Sequence, residues 1–265
     1  MASLLEIIIL AVIQGITEWL PVSSSGHLVL AEALFHEEQP LILAVMLHFG
    51  TLIVVLFVFR KDIVNMLVAL ARRDFASEDG QMALYVILGT ILTGTVGLIF
   101  LHQIEALFKN PFAVAVAMLF TGVILFLSER RQNTKSLGFI DSVYIAIAQM
   151  VSIIPGISRS GFTISTGLLR GVDKEKVFRF SFILAAPSIL GATILEARDT
   201  VIQSIDPVPM LLGVVVSMIV GYVALKALRK ILLRQKLHYF AYYCWALGLL
   251  VIVLLLLQAS GVSLY

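Results

Sequence analysis

Apolar runs long enough to cross a bilayer recur six times in this chain, at about residues 41–60, 82–101, 111–128, 180–196, 208–226 and 239–260, and no other feature limits its fold so severely. A segment in lipid must satisfy its own backbone hydrogen bonds, which restricts it to a helix or a closed barrel, and runs of this length are helical. The chain reads as an all-α polytopic membrane protein. Its 60% hydrophobic and 14% charged residues agree, against about 25% charged in a typical soluble domain. No Pro/Gly/Ser-rich linker divides residues 1–265, so one integral membrane domain is expected. The net charge of +2 says little about partners, and no nucleic acid is expected. A lone Cys244 excludes an intrachain disulfide. The N-terminus has Glu6 and no basic n-region, and reads as part of the mature chain rather than as a removed signal peptide.

Two regions, about 4–34 and 140–171, break the pattern: their apolar pieces are too short to span and are interrupted by Pro, Gly and Ser. Broken backbone at membrane depth must be buried in protein or line a wet cavity, so both are expected to be re-entrant helical hairpins. They also resemble each other. Placing 11–30 over 146–165 at an offset of 135 matches Ala11 with Ala146, Gln14 with Gln149, Ser23 with Ser158, Ser25 with Ser160 and Gly26 with Gly161. Each copy is followed by three spans, giving two repeats of about 1–128 and 140–265.

Charge orients these units. Alternation of the spans puts 60–81, 129–139, 170–179 and 226–238 on one side, with sixteen Lys and Arg, and leaves only Lys109 and Arg198 opposite. Such an excess marks the cytoplasmic face, so both termini are expected outside a cell (plasma or inner) membrane. The first hairpin then enters from outside and the second from the cytoplasm. Inverted repeats of this kind bring broken helices together near the midplane.

The polar residues lie where the hairpins are expected to meet. Glu18, Ser24, Ser25 and His27 would face Ser158, Arg159, Ser160 and Thr163 across one cavity. Ionisable groups at this depth are costly unless paired and are functional candidates by default. Ser- and Gly-rich turns opening onto helices offer free N–H groups to an anion, and Arg adds a fork of donors matched to phosphate. Serine needs a base to become a nucleophile. His27 reaches Ser24 only if the turn folds both onto one face. Gln14 and Glu18, four apart, share a helix face and can address one ion or one hydroxyl. From these residues a membrane phosphatase and a secondary transporter are equal readings, with a lipid-diphosphate carrier or flippase as a third.

At "QGITEWLPVSSSGH" (14–27) and "PGISRSGFT" (155–163) the chain resembles the undecaprenyl-diphosphate phosphatases, also called bacitracin-resistance proteins, and "HFGTLIVV" (48–55) and "FSFILAAPSILGA" (180–192) extend the likeness. The resemblance implies removal of the terminal phosphate of the C55 polyisoprenyl diphosphate, which recycles the lipid carrier for cell-wall synthesis, with help from a divalent cation, Mg2+ or Ca2+. It implies Ser24 as nucleophile, His27 as its proton-transfer partner, Glu18 with Gln14 as metal or acid/base pair, and Arg159 as diphosphate clamp. Ser23, Ser25, Gly26, Ser158, Ser160 and Thr163 match polar or binding positions of the motifs. Gln14 departs from the Glu of the best-known members, which weakens this pair as metal ligands. The implied partners are the polyisoprenyl diphosphate, membrane lipids and a second copy in a homodimer.

Other polar residues have plainer readings. Glu32 and His48 lie near the expected cavity, with structural and functional roles evenly balanced. His36, His102 and His238 sit at span ends and read as interfacial. Lys226 to Lys236 reads as an anionic-lipid or positive-inside anchor, and Gly50, Gly94 and Gly97 as sites of close helix packing.

Overall fold

The computed structural model describes residues 3–35, 41–129, 134–198 and 207–260. In chain order these form α1 (Leu4–Trp19), α2 (Ser24–Phe35), α3 (Leu41–Val58), α4 (Arg60–Ala71), α5 (Glu78–Ile99), α6 (Leu101–Phe108), α7 (Pro111–Ser128), α8 (Phe139–Val151), α9 (Arg159–Leu169), α10 (Lys174–Arg198), α11 (Pro207–Leu233) and α12 (His238–Ala259). The chain is a polytopic membrane protein: α5, α7, α10, α11 and α12 are long and apolar enough to cross a bilayer, and α3 makes a sixth span if counted with α4, to which it is bent by 72°.

Local sequence explains several starts. Ser3 and Glu6 form a reciprocal capping box on α1. Asn110 caps α7, with Pro111 supplying the preset φ of the first turn. Helices α1, α2, α8 and α9 have 16, 12, 13 and 11 residues, which at about 1.5 Å per residue is short of a bilayer core of about 30 Å. They form the two hairpins, α1–α2 and α8–α9, with turns at residues 20–23 and 152–158.

Two helices exceed what the sequence leads one to expect, since 60–81 and 102–110 read only as connections. Both α4 and α6 are amphipathic and too short for a membrane-length window to register. In α6, Leu101, Ile104 and Leu107 are half-buried, whereas His102, Gln103 and Glu105 are exposed. Such a helix suits an interface between apolar and aqueous surroundings.

Helix α1 packs on α11 and α8 on α5; α3 packs on α11 and α10 on α5; α3 meets α10, and α7 meets α12. These pairings map onto one another when α1, α3, α5 and α7 are exchanged with α8, α10, α11 and α12. The contacts of α11 are close: a Cβ on Gly50 would stand 2.2 Å from Ser217 Oγ, as tight packing there requires. Gly94 is different, with nothing within 4 Å of an added Cβ. At one end of the bundle Arg179 pairs with Asp62 and Asp79, Lys176 with Glu78, Arg229 with Glu175, and Lys135 and Arg170 with Asp141. This belt joins the basic stretches that alternation groups on one side.

Candidate active site

Each hairpin turn is built by a serine that caps the helix it opens. Ser23 Oγ accepts from Gly26 N at 3.2 Å and Ser158 Oγ from Gly161 N at 3.2 Å. Ser23 Oγ lies 3.2 Å from Ser25 Oγ, and Ser158 Oγ lies 3.4 Å from Ser160 Oγ. The 135-residue repeat in sequence is thus repeated in hydrogen bonds. Its two copies reverse the chain differently. Ser23 itself takes a left-handed φ of +69°, while in the second turn that conformation falls on Gly156, at +92°, where glycine carries little strain.

The turns are joined. Gly156 N donates to Ser25 Oγ at 3.2 Å, and Thr121 of α7, fully buried, accepts from Ser158 N at 3.0 Å and approaches Gly156 O at 3.2 Å. A Cβ on Gly156 would stand 2.3 Å from Val114 O. Gly156→Ala is therefore expected to destabilise the protein by about 3 kcal/mol through backbone strain and overpacking. The check is a lower thermal midpoint in detergent than that of the wild type.

Glu18 lies at the centre. Its Oε1 accepts from Arg159 Nη2 at 2.5 Å, and its Oε2 accepts from Ser24 Oγ at 2.9 Å and from Gln14 Nε2 at 3.2 Å, with His48 Nε2 3.7 Å away. Ser24 and Arg159 occupy equivalent positions in the two copies, since 24 and 159 differ by the same 135. One hairpin supplies a hydroxyl and the other a cation, and a single carboxylate bridges them. The Arg159 guanidinium lies over the Trp19 ring at 5.3 Å, and its Nη1 is buried without a hydrogen-bond partner among the described residues. Pairing and stacking make a cation tolerable at this depth, and the spare donor makes it receptive to an anion.

These groups face a cavity of about 160 Å³ lined by Thr17, Glu18, Ser23, Ser24, Ser25 and, from other elements, Phe108, Ser152, Ile153, Ile157, Ser158 and Arg159. The leading N–H groups of α2 and α9 lack intrahelical acceptors, and both helix starts lie at this cavity. Of the residues singled out in the sequence, Gln14 sits behind Glu18, and Gly26 lets α2 approach Met118, whose Sδ would be 3.0 Å from a Cβ there. Ser160 and Thr163 do not line the cavity: Ser160 Oγ lies behind it at 3.4 Å from Ser158 Oγ, and Thr163 Oγ1 lies 2.5 Å from Ser181 Oγ on α10. Gln149, the counterpart of Gln14, donates to Ser188 Oγ and the Leu184 carbonyl, outside this group.

His27 is not placed against Ser24. Its Nδ1 donates to the Ser23 carbonyl at 2.7 Å, which leaves Nε2 of the neutral ring to accept from Tyr243 OH at 2.7 Å. The left-handed Ser23 turns its carbonyl onto the imidazole, and α12 holds the other edge. Among the described residues the hydroxyl of Ser24 has one partner, Glu18. In this geometry the Ser24 hydroxyl is bonded to Glu18 and the His27 ring to Ser23 and Tyr243. His48 does adjoin the site, His102 is exposed, and His238 pairs with Glu129, the residue after α7. The side chain of Glu32 and the whole of His36 lie outside the described residues.

The sequence does not single out Thr17, Trp19, Phe108, Thr121 and Ser152. Thr17 and Trp19 flank Glu18, so proximity to the motif could have found them. Thr121 lies in an apolar span and Phe108 in a short connection of mixed polarity, and neither carries a local signal.

No group of three or more His, Cys, Asp or Glu side chains that could hold a metal ion occurs among the described residues. The donors at hand are Glu18 and Gln14 Oε1, the latter buried and unpartnered. They fit a cation shared with a ligand's own oxygens, as Mg2+ is commonly held by one or two carboxylates together with phosphates, and do not form a closed protein cage.

A family model described as bacitracin resistance protein BacA matches residues 7–250. The chain is 39% identical over 266 residues to the undecaprenyl-diphosphatase of Carboxydothermus hydrogenoformans, covering 97% of this chain and 98% of that protein. It is 39% identical over 266 residues to the undecaprenyl-diphosphatase of Methanobrevibacter smithii, covering 94% and 96%. It is 40% identical over 269 residues to that of Desulfatibacillum aliphaticivorans, covering 94% and 98%.

Proposed function

The chain belongs to the bacitracin resistance protein BacA family, and from that membership and its polar cavity we infer that it is an undecaprenyl-diphosphatase. It hydrolyses undecaprenyl diphosphate to undecaprenyl phosphate and inorganic phosphate. The observation that carries the catalytic reading is the bridging of Ser24 and Arg159 by Glu18, at 2.9 and 2.5 Å.

In this mechanism the diphosphate approaches the spare Nη1 of Arg159 and the leading N–H groups of α2 and α9. As phosphate oxygens take over the guanidinium, Glu18 is freed from it and accepts the proton of Ser24. The Ser24 oxygen attacks the terminal phosphorus, the bond to the bridging oxygen breaks, and undecaprenyl phosphate leaves, taking the proton from Glu18. Water then attacks the phosphorus of the phosphoserine and gives a proton to Glu18; the bond to Ser24 breaks, the serine oxygen takes that proton from Glu18, and inorganic phosphate leaves. Positioning and charge neutralisation supply most of the rate in such transfers. Gln14 Oε1 and Glu18 would hold a divalent cation with the diphosphate, and its contribution would be to neutralise phosphate charge. His27, held by Ser23 and Tyr243, orients the first turn rather than moving the Ser24 proton.

The two halves form inverted repeats within one membrane domain, a reading supported by the matched helix pairings and the repeated serine caps. The cavity opens on the outer face. In support, Phe108 at the cavity belongs to the stretch 102–110, whose only basic residue is Lys109, while the belt of ion pairs lies in the basic stretches.

One experiment tests activity and orientation together. Purified protein in detergent should release phosphate from a polyisoprenyl diphosphate, and intact spheroplasts should hydrolyse a non-permeant short-chain analogue. No release in detergent overturns the activity. Hydrolysis confined to inverted vesicles overturns the orientation alone.

A further inference from the structure

The cavity has an extended polar wall and one apolar corner, formed by Phe108, Ile153 and Ile157. Phe108 ends α6 and remains 41% exposed although it lines the cavity, so it stands at the boundary between the cavity and its surroundings. Ile154, next to Ile153 in the chain, is 38% exposed. Helix α5 leaves the corner open. At Gly97 an added Cβ would have only Ile153 Cδ1 within 4 Å, at 3.7 Å, and the neighbouring Leu98 and Ile99 point outward, 65% and 64% exposed.

A cavity of about 160 Å³ accommodates a diphosphate head but is far smaller than a long prenyl chain. The chain must leave it, and the route matters energetically. Passing beside Thr17 or the serines would strip water from hydroxyls without giving them partners, whereas passing between Phe108 and Ile153 keeps prenyl carbon against apolar side chains. We propose that this corner is the portal through which the isoprene units next to the diphosphate pass into lipid, and that Phe108 is a specificity-determining residue that contacts them. This rests on the diphosphatase reading above and adds how the substrate is oriented: phosphate toward Arg159, chain past the end of α6.

The test compares prenyl diphosphates of one and of three isoprene units with purified wild type, Phe108→Ala and Phe108→Leu. In the wild type kcat/KM should favour the longer chain. Phe108→Ala should lower the ratio of the two kcat/KM values about tenfold, the scale of losing one large apolar contact, and Phe108→Leu should restore most of it. Ile153→Ala, on the opposite lip, should lower the ratio in the same direction. Equal losses on both substrates, or an unchanged ratio in a wild-type background that releases phosphate, would overturn the portal while leaving the diphosphatase reading intact. Failure of the wild type to release phosphate from either substrate would overturn both.

Discussion

Ser24→Ala is expected to lower kcat by about a thousandfold or more while leaving the thermal midpoint close to that of the wild type. A hydroxyl that only binds is worth about 1–3 kcal/mol, or roughly ten- to a hundredfold, whereas removing a nucleophile removes the covalent route altogether. Ser24 is half-buried at the cavity and its Oγ donates to Glu18 Oε2 at 2.9 Å, within reach for general-base transfer. Its loss leaves Glu18 still paired with Arg159, so the fold should tolerate it. Rapid quenching with substrate labelled on the terminal phosphate should trap the label on Ser24. Label on His27, or no covalent label with only a mild defect in Ser24→Ala, would show that the serine is part of a binding cradle.

Arg159→Lys is expected to lower kcat/KM by about a hundred- to a thousandfold with fold and expression retained. The guanidinium does three things in one plane: Nη2 binds Glu18, Nη1 stands free, and the face lies over Trp19. An ammonium keeps the charge, which spares Glu18 from being left unpaired at depth. It lacks the fixed fork, so it cannot hold a phosphate in the same geometry while stacked on the indole. Lysine is the sharper test than alanine, because alanine would mix lost catalysis with an uncompensated buried carboxylate. Turnover near the wild-type level in Arg159→Lys would place the diphosphate elsewhere in the cavity.

The two motifs led to the site because the residues that meet at Glu18 are few and unusual in apolar surroundings. Glu18, Ser24 and Arg159 could be picked out individually. Spacing puts Ser24 and His27 in one turn of α2 but does not say which partners their side chains take: Ser24 Oγ bonds Glu18, and His27 bonds the Ser23 carbonyl and Tyr243. The left-handed Ser23 just before that turn aims its carbonyl at the imidazole. Likewise Thr163 belongs to the same motif as Arg159, but its hydroxyl meets Ser181 of α10 instead of the cavity.

By itself the sequence determined a polytopic helical chain with five or six spans, two pairs of helices too short to cross, and the chemistry available at their turns. Those properties follow from apolar length and from the backbone's need for hydrogen bonds in lipid, which are local and additive along the chain. Only the tertiary structure decided which groups face one another: that Glu18 takes both Ser24 and Arg159, that Thr121 ties the second turn, that Tyr243 holds His27, and that Phe108 borders the cavity. Each is a contact between distant segments whose direction is set by one φ angle or one helix crossing. A hydroxyl in an apolar helix, such as that of Thr121, has the same sequence signature whether it bonds its own helix or a neighbouring turn.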